Sequence, residues 1–222
     1  MGLLDMQTLT HKIIELGLSN RILTDTQLAR LLEGSRQRRY NLVNRALKSG
    51  ELLRLRRGCY LLAPTWRDSP AHPFALAQAI VPGGYVSFET ALSHHGWIPV
   101  AVYTTACVTP GRKALDYEHP VFGSFSFHPL AIQAGYFLEL VERKQIAEQT
   151  MLVAEPIRAL MDLVCLRKAE WQGMGWLTEG LRIDNEHLRN VTSADIRTLD
   201  LVYKQKRVKA FLKSLAKELG ND

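Results

Sequence analysis

Residues 22–62 read ILTDTQLARLLEGSRQRRYNLVNRALKSGELLRLRRGCYLL, and two helices and a hairpin can be taken from them. Thr24 is a good N-cap, and Gln27 three residues on completes a capping-box pattern. Leu28, Leu31 and Leu32 form the apolar stripe of the helix that follows, and Gly34 is its stop. Ser35 caps a further helix that runs to about Ser49 and is closed by Gly50. Only a tight Glu33-Gly34-Ser35 turn separates the two, which is the spacing of a helix-turn-helix. Beyond Gly50, Leu53, Leu55, Tyr60 and Leu62 alternate around Arg56-Arg57-Gly58, so a β-hairpin with a basic tip is expected. Upstream, Met6 to Leu18 carries Leu9, Ile13, Ile14 and Leu16 at a rough helical period and stops at Gly17 and Asn20. Three helices and a basic hairpin predict a winged helix-turn-helix, the hairpin being the wing.

The second helix of that unit divides into two faces. Leu42, Val43, Ala46 and Leu47 share the side that packs on the other helices. Gln37, Arg38, Asn41, Asn44, Arg45 and Lys48 share the other, and no Asp or Glu occurs between Arg36 and Lys48. An exposed helix face ordinarily mixes charge signs; this one is cationic and amide-bearing. Such a face suits the major groove of double-stranded DNA, where Arg forks onto guanine and Asn or Gln onto adenine. Arg36 and Arg39, from the first turn, are expected to reach phosphates or bases. Arg54, Arg56 and Arg57 on the wing are candidates for backbone or minor-groove contacts. RNA fits less well, since Tyr40 and Tyr60 are the only candidates for a stacking platform.

Charge segregation points the same way. The 222 residues carry a net charge of +6. Residues 1–66 hold 11 Lys+Arg against 5 Asp+Glu, and residues 67–222 hold 17 of each. A small basic head on a neutral body is the pattern of a polyanion-binding module joined to a second domain. With 46% hydrophobic residues the chain is an ordinary globular one. No apolar run is long enough to span a membrane. Cys59, Cys107 and Cys165 are odd in number and far apart, so neither a disulfide framework nor a zinc site is expected. The N-terminus lacks the pattern of a secretory signal, and a cytoplasmic setting is the expectation.

The body, residues 67–222, follows the Pro-rich stretch 63–73 and reads as mixed α and β, making the whole chain α+β. Short helices are expected over Phe74–Val81 and Glu89–His95, and strands over Ala101–Thr109, Gly123–Leu130, Gly135–Val141 and Gln149–Ala154. Pro156 opens a helix through Lys168, and from about Ser193 the chain is helical again. Ser87 is expected to cap the helix near Glu89.

In order and spacing, Arg57-Gly58-x-Tyr60, Tyr85-Val86-Ser87-x-Glu89-x-Ala91-Leu92 with His95-Gly96, and Ala154-x-Pro156-x-x-Ala159-Leu160-x-Asp162-Leu163 resemble the AbiEi-like antitoxins of type IV toxin–antitoxin, or abortive-infection, systems. The resemblance covers about residues 24–166. It implies a winged-helix DNA-binding domain and a C-terminal antitoxin domain. It also implies repression of its own operon at inverted repeats, by a homodimer or a cooperative pair, and neutralisation of a cognate nucleotidyltransferase-like toxin.

No enzyme is expected. His94 and His95 are adjacent, so on a helix they diverge by about 100° and make a poor metal pair. His72, His119 and His128 are scattered. Glu155 and Asp162 share a helix face without the further acids or lysine of a nuclease. No phosphate-binding glycine loop or Gly-x-Ser-x-Gly is present, and no cofactor is implied. The alternative reading is a stand-alone winged-helix regulator whose body binds another protein or senses a ligand, with Tyr85, Trp97 and Tyr103 as candidate pocket aromatics.

Overall fold

A computed structural model describes residues 8–32, 34–146 and 148–220. Met6 and Glu33, assigned above to the first helix and the turn, lie outside them. The architecture is mixed α+β with two sheets. The chain divides into two compact units, Met1–Ile80 with Gln145–Thr150, and Val81–Lys144 with Met151–Asp222.

In the first unit, α1 (Leu9–Glu15), α2 (Asp25–Leu31) and α3 (Arg36–Lys48) accompany a sheet of β1 (Leu23–Thr24), β2 (Leu52–Arg56) and β3 (Cys59–Leu62) in the antiparallel order β1-β3-β2. Local chemistry sets the helix starts. The Thr24 hydroxyl accepts from the Gln27 amide while the Gln27 side chain accepts from the Thr24 amide, the reciprocal cap expected of that spacing. The Ser35 hydroxyl accepts from the Arg38 amide. Leu9, Ile13, Leu23, Leu28, Leu32, Ala46, Leu52, Tyr60 and Leu62 close into one core, with Leu42, Val43 and Leu47 half-buried against it. Each large aliphatic so buried contributes about 1.5–3 kcal/mol.

The hairpin differs from its expected alternation. Leu52 and Leu55 are the buried residues of β2, and Leu53 is only half-buried. The register shifts between Arg54, opposite Tyr60, and Arg56, opposite Cys59. This irregularity breaks the period of two and turns Leu55 inward. β3 is buried throughout because it is the central strand, flanked on one edge by β1, a pairing the sequence did not announce. The helix α4 (Pro73–Ile80) packs against β2.

The second sheet, which lies in the second unit except for residues 145–150 at the ends of β8 and β9, is six-stranded and mixed in the order β6-β7-β5-β4-β9-β8. Its strands are β4 (Tyr85–Val86), β5 (Thr104–Thr109), β6 (Leu115–His119), β7 (Gly123–Pro129), β8 (Val141–Ile146) and β9 (Gln149–Ala154). β5 and β7 run parallel, as do β4 and β9, while β4–β5 and β6–β7 are antiparallel. Four helices follow the expected positions: α5 (Phe88–His94), α6 (Pro156–Arg167), α8 (Ser193–Val202) and α9 (Lys206–Leu219). The short α7 (Asn185–Arg189), a π-helical turn at Trp176–Gly180 and strand β6 were not foreseen.

One expected strand is absent. Gly135–Leu140 forms successive turns, with Tyr136 donating to the Gln133 carbonyl and Val141 to Leu138. Gly135 (φ +88°) and Leu140 (φ +54°) take the left-handed conformation that ends extended chain. The partner of β9 is therefore β8. Another left-handed residue, the fully buried Phe88 (φ +55°), makes the sharp turn from β4 into α5 and packs edge-on to His128. Strain of this kind costs about 1–3 kcal/mol and persists only where packing enforces it.

Candidate nucleic-acid interface

Ala46 is buried and Leu42, Val43 and Leu47 are half-buried, so α3 is anchored through one side. Gln37, Asn41, Asn44 and Lys48 therefore run along the opposite side, three or four residues apart. Arg38 and Arg45 occupy one flank, and Tyr40, 64% exposed, the other. Of the residues singled out on this helix, Arg36, Gln37, Arg38, Asn41, Arg45 and Lys48 are exposed, and Asn44 is half-buried. Gln37 Nε2 donates to Asn41 Oδ1 at 3.1 Å. That bond leaves the Gln37 oxygen and the Asn41 amide group to present outward. The ridge is bordered by two depressions, of about 600 Å³ beside Tyr40, Asn44 and Lys48 and about 550 Å³ beside Gln37, Arg38 and Arg45. The second contains the Glu51 carboxylate, which is held by the buried Thr10 hydroxyl at 2.5 Å.

Two of the named arginines are engaged within the unit. Arg39 falls toward the core side of α3, and its Nη1 donates to the Gly34 carbonyl at 2.6 Å. It ties the turn between α2 and α3. Arg56 Nε donates to the Ala79 carbonyl at 2.8 Å. The hairpin tip thus offers Arg57 as its exposed cation, and the Arg54 guanidinium lies 6.0 Å over the Tyr60 ring. Gly58 (φ +74°) closes the hairpin. Its carbonyl accepts from the Asp25 amide at 3.0 Å, and a Cβ there would lie 2.8 Å from Asp25 Oδ2. The tip is fastened to the start of α2, which fixes where Arg57 is carried.

The densest polar chemistry of the molecule lies elsewhere and is closed to solvent. Asp162 and Arg158, one turn apart on α6, are both fully buried and paired at 3.0 Å. Asp162 Oδ1 also accepts from Tyr203 Oη (2.7 Å), and Oδ2 from Tyr85 Oη (3.0 Å) and Ser87 Oγ (2.8 Å). Arg158 donates to Tyr85 Oη (2.6 Å) and the Glu139 carbonyl (3.0 Å), and its guanidinium lies 5.4 Å over both tyrosine rings. Burial by itself lowers the Arg158 pKa, but Asp162 beside it more than reverses that and holds the cation charged. Burial, then Asp162, hold both tyrosines well above their ordinary range, so they stay neutral. Every charge in this cluster is matched, and it binds β4, α6, the 137–139 turns and the strap before α9 into one block. Sequence reasoning missed it: Arg158 was not singled out, Tyr85 was read as a pocket aromatic, and Asp162 was weighed with Glu155. The i,i+4 Arg–Asp spacing inside the otherwise apolar run Ile157–Cys165 was the available signal. Ser87 does not cap α5, because its hydroxyl is committed to Asp162.

The other aromatics do not converge: Trp97 is buried and stacks on His187, and Tyr103 is 91% exposed. His95 Nε2 lies 3.0 Å from the Ala154 carbonyl. Burial pushes the Cys107 thiol well up and Cys165 up to about 11, Asp162 adding to the latter, so both behave as small apolar groups. Among the described residues no three His, Cys, Asp or Glu side chains are grouped to hold a metal ion, and no helix is long and apolar enough to cross a membrane. No protein-family model matches the chain, and no curated protein matches it.

Proposed function

We propose that the protein is a DNA-binding transcriptional repressor whose first unit is a winged helix-turn-helix. In this reading α3 is the recognition helix and the β2–β3 hairpin the wing. The observation that carries it is the outward side of α3, where Gln37, Asn41, Asn44 and Lys48 are flanked by Arg38 and Arg45 on a helix without a single Asp or Glu, and where the neighbouring Glu51 carboxylate is taken up by the Thr10 hydroxyl. The amides and Arg38 would read base edges, while Arg36, Arg45, Lys48, Arg54 and Arg57 would neutralise phosphates. Arg39 and Arg56, already bonded to carbonyls, would serve to position the turn and the wing. Two such heads on an inverted repeat would sit about 34–36 Å apart, one helical turn.

We further propose that the second unit is the antitoxin half of a type IV system, with a nucleotidyltransferase-like toxin as partner. That part rests on the likeness of the Tyr85–Leu92 and Ala154–Leu163 motifs to the AbiEi-like family. In the fold, Tyr85, Ser87 and Asp162 of those motifs share the buried network, which accounts for them structurally.

Selection of duplexes from a random pool, followed by fluorescence anisotropy of the enriched site, tests the repressor reading. Enrichment of an inverted repeat that binds on the order of a thousandfold more tightly than scrambled DNA supports it; recovery of no common sequence refutes it. Co-expression with a nucleotidyltransferase toxin from the neighbouring gene tests the second half, growth rescue being the expected result.

A further inference from the structure

α8 and α9 enclose an open groove of about 1120 Å³. Its lining runs along both helices, from Ile196 to Leu201 on α8 and from Lys209 to Lys217 on α9, a length that suits a segment of chain. α9 spends Val208, Phe211, Leu212, Leu215 and Ala216 on the core, where Trp171 and Trp176 meet Phe211 edge-on. The strip beside that stripe stays open. Ala210 and Ser214 lie one turn apart and are small enough to let a helix backbone approach. Across from them, α8 offers Ile196 and Leu201, the latter 51% exposed. The rim is cationic: Arg197 on α8, and Lys209, Lys213 and Lys217 at four-residue spacing along α9. Asp200, the one carboxylate lining the groove, lies 3.8 Å from Lys209. Among the described residues Arg197, Lys213 and Lys217 have no carboxylate partner.

We infer that this groove docks an acidic amphipathic helix of a partner protein. A helix laid in a groove buries an apolar stripe between two neighbours. Lysines every fourth residue rise about 6 Å apiece, which matches carboxylates at the same spacing on a second helix. Nucleic acid fits less well, since its phosphates would meet the cations but leave Ile196 and Leu201 without apolar contact. The inference deepens the partner-binding half of the proposed function and uses none of the DNA-binding surface, so either can fail alone.

The test uses the full chain and a fluorescein-labelled helical peptide with leucines at i, i+3, i+4 and i+7 flanked by glutamates every fourth residue. Anisotropy is expected to report saturable binding that the K213E/K217E double variant weakens by about tenfold or more. A peptide with lysine in place of every glutamate is expected to restore binding to that variant, and Leu201→Asp to abolish binding of the acidic peptide. Operator binding, measured on the same samples, is expected to stay unchanged, which shows that the variants fold and separates this inference from the repressor reading. Absence of binding, equal affinity in K213E/K217E, or competition by random duplex DNA or phosphatidylserine vesicles as strong as by unlabelled peptide would overturn it.

Discussion

Asp162 accepts four side-chain hydrogen bonds, and its loss would leave the Arg158 cation buried without a counter-charge. Removing one partner of a buried pair costs about 3–5 kcal/mol. Asp162→Ala is therefore expected to lower the urea midpoint of the protein sharply, whereas Arg158→Met with Asp162→Leu should recover much of the loss; a single variant as stable as the parent contradicts the role given to the pair. In the proposed DNA-binding reading, base and phosphate contacts separate by residue. Asn41→Ala should cost about 1–3 kcal/mol on the preferred site and relax base preference at one position. Arg57→Ala should weaken preferred and scrambled duplexes alike and reduce the salt slope by about 1. Arg56→Ala should affect stability more than DNA affinity, because its Nε is bonded to Ala79. Anisotropy at several salt concentrations separates the three on DNA, and thermal unfolding reads the stability lost in Arg56→Ala.

Helix α5 ends in His94 and His95, whose imidazoles are held below the ordinary histidine range first by burial, with His95 adding to the effect on His94. A group whose pKa falls on folding supports the fold fully above its unfolded value, 6.5, and withdraws that support as the pH drops below it. The parent is thus expected to lose stability between about pH 7.5 and 5.5, and His94→Gln with His95→Gln to lose less; identical pH slopes would contradict this. In the hairpin, Gly58→Ala should cost about 1–2 kcal/mol, from the positive φ and the Asp25 carboxylate in its way, as read by thermal unfolding. The caps at Thr24 and Ser35, the split faces of α3 and the Pro156 helix were legible because each follows from neighbours within four residues. The irregularity that turns Leu55 inward, the pairing of β1 on β3 and the carbonyls that take up Arg39 and Arg56 were not, since each depends on a distant or backbone partner. The turns at 135–140 differ from the expected strand because Tyr136, Phe137 and Leu138 have strand-forming side chains, while the second break, at Leu140, falls on a residue that is not glycine.

Charge is segregated along the chain. The excess of six positive charges lies in residues 1–66, and residues 67–222 are balanced. The proposed division of labour follows: a cationic head for duplex DNA, and a body that holds a partner through the α8–α9 groove. The second unit depends on a buried charge network and the first on an aliphatic core, so substitutions in one should leave the other's binding intact. The most direct measurement is anisotropy of the enriched inverted-repeat duplex with the full chain, set against a variant carrying Gln37→Ala, Asn41→Ala and Asn44→Ala. Those changes keep every cation and the core side of α3. The parent is expected to prefer the repeat strongly over scrambled DNA, and the variant to bind both equally at nearly the affinity the parent shows for scrambled DNA. Retention of the parent's preference by the variant would contradict α3 as the reading helix.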